Sequence, residues 1–421
     1  MEVVHAPAST ATGHRPQLSA HLRRRIATEF TSRFQDEWGG KFVTHGKPPG
    51  PSAVRLDGND YLAITGHPAI VEAQLAAIRA DSEFVLQSGV FQLEGNAAWQ
   101  LERSLCDWIG VGDGLLCQSG YTANLGLLQV IADPQTPVYM DSLAHMSLWE
   151  GARAAGAPVH AFRHNDPAHL LKTMQQQGPG LVVVDSVYST TGALCPLREM
   201  VEAAESNGSM ILVDESHSLG THGPQGAGLC ALLGLTDRVQ FITSSLAKAF
   251  AGRAGFFSMP AGLRNYLMCH SFPSIFSSCL LPNEVAGLLA ALEVIRGSDM
   301  ARQKLHANTK RLRSSLAGLG YPIHQGSEQI ISLEAGVESN TLSLRDHLEA
   351  EGVVGAVFCA PATSRNRAMV RLTVNAGLTE AEMSHIETTA RVVAPKVRPW
   401  DWPVARRNRG NAVYPCTVRG S

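Results

Sequence analysis

From Gly114 onward, short apolar runs alternate with amphipathic stretches. The runs Leu115–Gln118, Val138–Met140, Val159–Phe162, Leu181–Asp185, Met210–Val213, Val239–Thr243 and Gly255–Met259 predict strands. The stretches Thr122–Ile131, Ala144–Ala155, Pro167–Gln176 and Leu197–Asn207 have apolar residues at helical spacing and predict helices. Leu181-Val182-Val183-Val184 is continuous rather than alternating, as a strand buried on both faces requires. Alternation of this kind predicts an α/β fold with a mostly parallel, seven-stranded sheet covered by helices on both faces.

The pattern changes after about Pro282. A long helical region runs to about Leu319. Strand and helix signals follow at Gln329–Leu333, Leu342–Glu351, Val353–Cys359, Met369–Val374 and Thr379–Val393, and predict a smaller α+β domain. Before the sheet, Leu18, Leu22, Ile26 and Phe30 recur at helical spacing and predict a helix over Leu18–Phe34. The division expected is an arm over 1–55, a large domain over 56–290, a small domain over 291–395 that the arm completes, and a tail over 396–421. In that tail Trp400 and Trp402 either dock on the body or stay disordered.

Composition narrows the function classes. The 421 residues are 44% hydrophobic, and 35 Lys and Arg face 37 Asp and Glu, a formal charge of −2. That balance argues against a protein that coats nucleic acid or an anionic membrane. No apolar run reaches the ~18 residues that a membrane span needs. The stretch Met1–Arg25 lacks the apolar segment of a signal peptide. The eight cysteines stand singly, without a C-x-x-C pair, so reduced thiols and a cytoplasmic location are expected rather than disulfides or zinc.

Lys248 lies just past a predicted strand among small and apolar residues, Ser244-Ser245-Leu246-Ala247-Lys248-Ala249. Desolvation there lowers an amine's pKa and makes it a nucleophile. Asp214 and His217 follow another buried strand, where ligands of open α/β sheets bind. Asp214 could hold a ring nitrogen protonated, and His217 could reach a neighbouring phenolic oxygen. The Asp214-Glu215-Ser216-His217 box also has the form of a helicase motif. That reading requires a phosphate loop, and the closest stretch, Gly39-Gly40-Lys41-Phe42, does not match one. Asp214, His217 and His222 could ligate a metal by residue type, but spacing ties no further ligand to them, and no metal is expected.

Ser119-Gly120-Tyr121 opens a predicted helix, where free N–H groups make a phosphate seat. Ser245, Ser277 and Ser278 could add hydroxyls to it. His145 could stack on an aromatic cofactor or be a core histidine. Arg371, in an apolar strand, needs an anionic partner: a substrate carboxylate, or an internal acid.

The order Ser119-Gly120-Tyr121, Asp141…His145, His164-Asn165-Asp166, Ser186-Val187-Tyr188-Ser189, Asp214-Glu215-Ser216-His217, Ser245…Lys248, Phe276-Ser277-Ser278 and Arg371 resembles the α-oxoamine synthases, fold-type I pyridoxal-phosphate enzymes. The resemblance spans roughly Asn59 to Val393. Within the family, Ala144–Arg153, Val184–Thr190, Asp214–Gly228 and Val357–Ser364 are similar to the branch that makes long-chain α-aminoketone autoinducers. Two departures from the biotin, haem and sphingoid relatives agree with that branch. Ser189-Thr190-Thr191-Gly192-Ala193 stands where those relatives have Ser-Met-Asp-Gly-Asp, and Ser88–Gly95 replaces their Gly-Ser-Arg loop.

The resemblance implies roles for these residues. Lys248 would carry pyridoxal 5'-phosphate as a Schiff base, and Asp214 would pair with its ring nitrogen. His217, with Ser189 nearby, would contact the ring hydroxyl, and His145 would stack on the ring. Ser119, Gly120, Tyr121 and Ser245 would line the phosphate site, joined by Ser277 and Ser278 of a second subunit in a homodimer. Arg371 and Asn59 would take the donor carboxylate. The implied reaction joins an amino acid, of the 2-aminobutyrate or S-adenosylmethionine type, to a medium- or long-chain acyl-CoA with loss of CO₂. The alternatives within the family are an 8-amino-7-oxononanoate synthase, a 2-amino-3-ketobutyrate CoA ligase or a serine palmitoyltransferase-like synthase.

Overall fold

Seven strands form the larger sheet of the protein, in the order β2-β8-β7-β6-β5-β3-β4. The structure is a computed structural model that describes residues 17–80 and 86–405. The strands are β2 (Asp113–Cys117), β3 (Val138–Asp141), β4 (Val159–Phe162), β5 (Leu181–Asp185), β6 (Met210–Asp214), β7 (Phe241–Ser245) and β8 (Gly255–Met259). Neighbours from β4 to β7 pair in parallel, and β8 runs antiparallel to both β7 and β2. Each run of apolar residues ends on a polar one: Asp141, Asp185, Asp214 and Ser245 close β3, β5, β6 and β7. The strands are largely buried on both faces, and the polar residue that ends each of these four marks the sheet's carboxyl edge.

The smaller sheet has the order β1-β10-β11-β9, with β1 (Val54–Leu56), β9 (Ile330–Gly336), β10 (Val353–Phe358) and β11 (Ala368–Thr373). β1 was not anticipated: only Val54 and Leu56 point inward, and two apolar positions are too few for a periodic signal. It pairs in parallel with β10, with Val54 opposite Val353.

The helical region after Pro282 is two helices, Pro282–Arg296 and Asp299–Gly318, broken at Gly297-Ser298. The N-terminal helix runs over Ala20–Ile26 and continues in π-helical turns to Glu37. The apolar positions that predict it, Leu18, Leu22, Ile26 and Phe30, are exposed in the single chain. At the other end the helix Glu380–Val397 overruns the expected start of the tail. Trp402 is buried, packs edge-on against Tyr321 and donates from Nε1 to Val397 O at 3.0 Å. The rest of the expected tail, with Cys416, lies outside the described residues. The other seven cysteines are free thiols, five of them buried. No described helix is long and apolar enough to cross a membrane.

Candidate active site

The carboxyl edge of the large sheet opens into a cavity of about 220 Å³ lined by thirteen residues. Lys248, Asp214, His217, His145, Ser119, Gly120, Tyr121, Ser189 and Ser245 are all among them. They come from turns that follow five different strands, which explains why no local stretch of sequence displays the site.

Lys248 sits in the turn after β7, where the chain leaves a buried strand. Burial lowers its pKa, the charge of Arg371 lowers it further, and Asp214 partly opposes both. Asp214 Oδ2 accepts from Asn124 Nδ2 at 2.7 Å, and Oδ1 accepts from the Ser216 backbone N–H at 2.8 Å. Its carboxylate is therefore fixed from both sides. Asn124 also donates to Ser147 Oγ at 2.9 Å, and Ser147 Oγ lies 2.7 Å from His145 Nδ1. The Ser147 backbone N–H donates to that same Nδ1, so His145 keeps its proton on Nε2. Burial, and after it the charge on Lys248, lower the pKa of His145 against the pull of Asp214.

His217 Nδ1 contacts the hydroxyl of Tyr61, which is fully buried. Burial drives the pKa of Tyr61 far up, so the phenol keeps its proton and donates it to Nδ1. His217 in turn is pushed well below the usual histidine range by burial and by the neighbouring cations Lys248 and Arg371. A neutral imidazole that accepts at Nδ1 presents an Nε2–H donor on its other side. Asp185, also in the cavity wall, is pushed well above the usual carboxylate range by burial and then by Asp214 and Asp141.

Ser119 caps the helix Gly120–Ile131 in a reciprocal capping box with Thr122. A Cβ on Gly120 would sit 2.5 Å from Ser245 Cβ and 2.8 Å from Ser245 Cα. A Cβ on Gly255 would sit 2.1 Å from the Ser119 carbonyl. The β2 and β7 turns can approach this closely only because these positions are glycine. The result is a helix N-terminus flanked by hydroxyls, with backbone N–H groups free for an anion.

Arg371, on β11, is 5% exposed and has no acidic partner among the described residues. It donates to Ser189 O and Asn59 Oδ1, both at 2.9 Å, and its guanidinium lies 4.5 Å from the centre of the Phe358 ring. Its Nε is buried without a partner. The internal-acid alternative is thereby removed, and a buried cation held only by neutral acceptors calls for an anion. Ser277 and Ser278 do not line the cavity of this chain. Ser277 Oγ donates to Pro273 O at 2.7 Å, and Ser278 O accepts from Gln118 Nε2 at 2.6 Å.

Sequence reasoning missed Tyr61, Asn124, Ser147, Asp185 and Ser216. Asn124 had a legible signal, since it sits one turn after Gly120 on the helix face that carries buried Ala123 and Leu127. Tyr61 had none, because its role depends on a contact across 156 residues. The donor set fits pyridoxal phosphate on its own chemistry. It supplies an amine for an aldehyde, an acid for a pyridine nitrogen, an imidazole N–H for a ring hydroxyl and an amide-rich turn for a phosphate.

Residues 51–387 match the family model of aminotransferases of class I and II. The chain is 46% identical to the CAI-1 autoinducer synthase of Vibrio campbellii over 351 residues, 83% of this chain and 89% of the relative. It is 32% identical to a putative 8-amino-7-oxononanoate synthase of Halalkalibacterium halodurans, over 78% of this chain and 84% of the relative. Among solved structures, a serine palmitoyltransferase of Sphingomonas wittichii superposes with a TM-score of 0.81 at 23% identity, covering 91% of this chain and 99% of that one. That last likeness establishes the fold. With the family match and the 46% relative, it places the chain in the class I and II aminotransferase family, among the α-oxoamine synthases.

Proposed function

We propose that the protein is a pyridoxal-phosphate-dependent acyltransferase that condenses an α-amino acid with a medium- or long-chain acyl-CoA, releasing CoA and CO₂ and leaving an α-aminoketone of the autoinducer class. The observation that carries the chemistry is the convergence of Lys248, Asp214, His217 and His145 on one cavity beside the acid-free guanidinium of Arg371. The observation that carries the branch is the 46% identity to a CAI-1 autoinducer synthase.

Bound pyridoxal phosphate supplies an electron sink for negative charge at the donor's Cα. The chain's own residues do the remaining work. Lys248 Nζ, held in a low-dielectric turn, would hold the cofactor through its aldehyde group and, as a free amine, would take the proton from the donor's Cα. Asp214, clamped by Asn124 and Ser216, would hold the ring nitrogen protonated. His217 would donate from Nε2 to the ring hydroxyl, in the tautomer that Tyr61 fixes. Arg371 and Asn59 hold the donor carboxylate, so the attack on the thioester becomes effectively unimolecular. In that attack Cα bonds to the acyl carbon, the C–S bond breaks and CoA leaves as the thiolate. The β-keto acid then loses its carboxyl as CO₂, and Cα regains a proton.

On this reading residues 56–290 bind the cofactor, residues 291–395 close over the donor, and the enzyme is a cytoplasmic homodimer. Ser277 and Ser278 of one subunit serve the phosphate site of the other.

Purified protein is expected to absorb in the visible, and borohydride is expected to fix the cofactor on Lys248. Mass spectrometry of products from mixed acyl-CoAs and amino acids should show a long-chain aminoketone from a donor longer than alanine. Preference for glycine, alanine or serine would assign the chain to the biotin, haem or sphingoid type. Colourless protein after reconstitution would end both readings.

A further inference from the structure

Outside the cofactor cavity, His222, His306 and Glu328 bring one donor atom each within 4.8 Å of one another. They come from three separate pieces of chain. His222 lies in the loop after β6, His306 on the helix Asp299–Gly318, and Glu328 just ahead of β9. The cluster thus joins the large sheet to the smaller one.

The hydrogen bonds of the cluster leave room for a cation in one of their two proton arrangements. The Thr221 hydroxyl donates to backbone carbonyls, Ser218 O at 3.0 Å or His217 O at 3.2 Å. Its oxygen also lies 2.9 Å from His222 Nδ1, and whenever the hydroxyl proton is on a carbonyl, Nδ1 is the donor in that contact. In a neutral ring Nε2 then carries a lone pair, and it faces Glu328 Oε2 at 2.9 Å. Two lone pairs at that distance repel unless a proton or a metal ion sits between them. Ser327 Oγ donates to the other carboxylate oxygen at 2.8 Å and orients it. The third member, His306, has Nε2 at 3.0 Å from Thr221 O. One proton satisfies His222 and Glu328, and His306 Nε2–H donates to Thr221 O, so a bound metal would displace contacts of this kind.

We propose that His222, His306 and Glu328 form a divalent transition-metal site of the zinc class that braces the β6 loop against the segment leading into β9. Two imidazoles and one carboxylate suit zinc, with water as the fourth ligand. Zinc at ~2.0–2.1 Å from each donor needs donors ~3.3 Å apart, so a pair at the 4.8 Å limit closes by about 1.5 Å on binding while the His222–Glu328 pair, at 2.9 Å, opens slightly. Thr221 and Ser327 hold the outer positions that fix ring tautomer and carboxylate orientation. The brace lies next to the reaction centre: Gln329, adjacent to Glu328, donates to His217 O at 2.7 Å, and the Glu328 backbone N–H donates to Gly192 O at 3.0 Å. Its role is structural, since Lys248 and Asp214 line a cavity that contains none of the three.

Equilibrium dialysis of untagged holoenzyme against zinc chloride, with bound metal quantified, tests the site. Wild type is expected to bind one zinc per chain at least ~10-fold more tightly than His306→Ala or Glu328→Gln. Zinc should raise the melting temperature of wild type and leave both variants unmoved. Glu328→Gln preserves shape, and the visible cofactor band confirms that each variant is folded. Equal zinc binding by wild type and both variants, or none by wild type, overturns the proposal and leaves a protonated His222–Glu328 pair as the content of the cluster.

Discussion

Asn124 is where single-residue chemistry in this site is most exposed to test. Its amide gives one proton to Asp214 Oδ2 and one to Ser147 Oγ, and so ties the Asp214 carboxylate, through Ser147, to the imidazole of His145. A hydrogen bond to a charged group contributes ~1.5–3 kcal/mol. Asn124→Ala is therefore expected to lower kcat/KM by roughly 10–150-fold. The visible cofactor band should shift as the ring nitrogen loses its clamped partner, which a purely structural defect would not produce. Unchanged kcat/KM and an unchanged spectrum would deny Asn124 any positioning role. Glu215, next to Asp214 but turned into the core, makes a different prediction. Burial raises its pKa to about 7, although the Cys230 backbone N–H donates to Oε1 at 2.6 Å. The folded chain then holds this proton to higher pH than the unfolded chain does. The associated stability is fully present below the ordinary carboxylate range and is lost as pH rises through about 7. Urea unfolding should show that Glu215→Gln flattens the decline in stability between about pH 5 and pH 8. A decline as steep as wild type would place its cause elsewhere.

At the scale of elements, the proposed phosphate seat is made by two turns that touch. Gly120→Ala puts a methyl group against the Ser245 backbone, at 2.8 Å from its Cα. Backbone cannot rotate away as a side-chain tip can, so one turn must shift, at a cost of ~1–3 kcal/mol. Pyridoxal phosphate is expected to bind apo Gly120→Ala about 10–100-fold more weakly, measured by fluorescence titration, with overall helicity retained. Wild-type affinity would mean that the phosphate lies elsewhere. These two turns also show what the sequence could and could not reveal. β5 and β8 have the residue limits their apolar runs predict, because strands buried on both faces leave no ambiguity about where burial stops. β7 begins at Phe241 rather than Val239, since apolar character alone does not say which residues find ladder partners. Lys248, Asp214, His217 and His145 were legible because each follows a buried run directly. Tyr61, Ser147 and the His222–His306–Glu328 cluster were not, because their meaning lies in contacts between segments far apart in sequence.

At the scale of the molecule, the proposed phosphate seat draws two of its hydroxyls from a second copy of the chain. Ser277 and Ser278 lie off the cavity, while nearby Phe272 and Phe276 are exposed at 57% and 76%. Large exposed apolar side chains beside these two hydroxyls are what a partner copy would cover. If Ser278 serves the other subunit, an acid at that position should repel the phosphate there and nowhere else. Ser278 is itself exposed, so Ser278→Asp leaves this chain's own core intact. Ser278→Asp homodimers and Lys248→Ala homodimers are each expected to be inactive. In a hybrid of the two, both lesions fall on the site built around the Lys248→Ala chain, and the other site has its own Lys248 and a normal Ser278 from across the interface. Random mixing by co-refolding should then restore about a quarter of wild-type activity, since half the dimers are hybrids with one intact site of two. If Ser278 serves its own subunit, every hybrid carries one lesion in each site and mixing restores nothing. The assay therefore reads which chain furnishes the hydroxyl without requiring an interface to be seen.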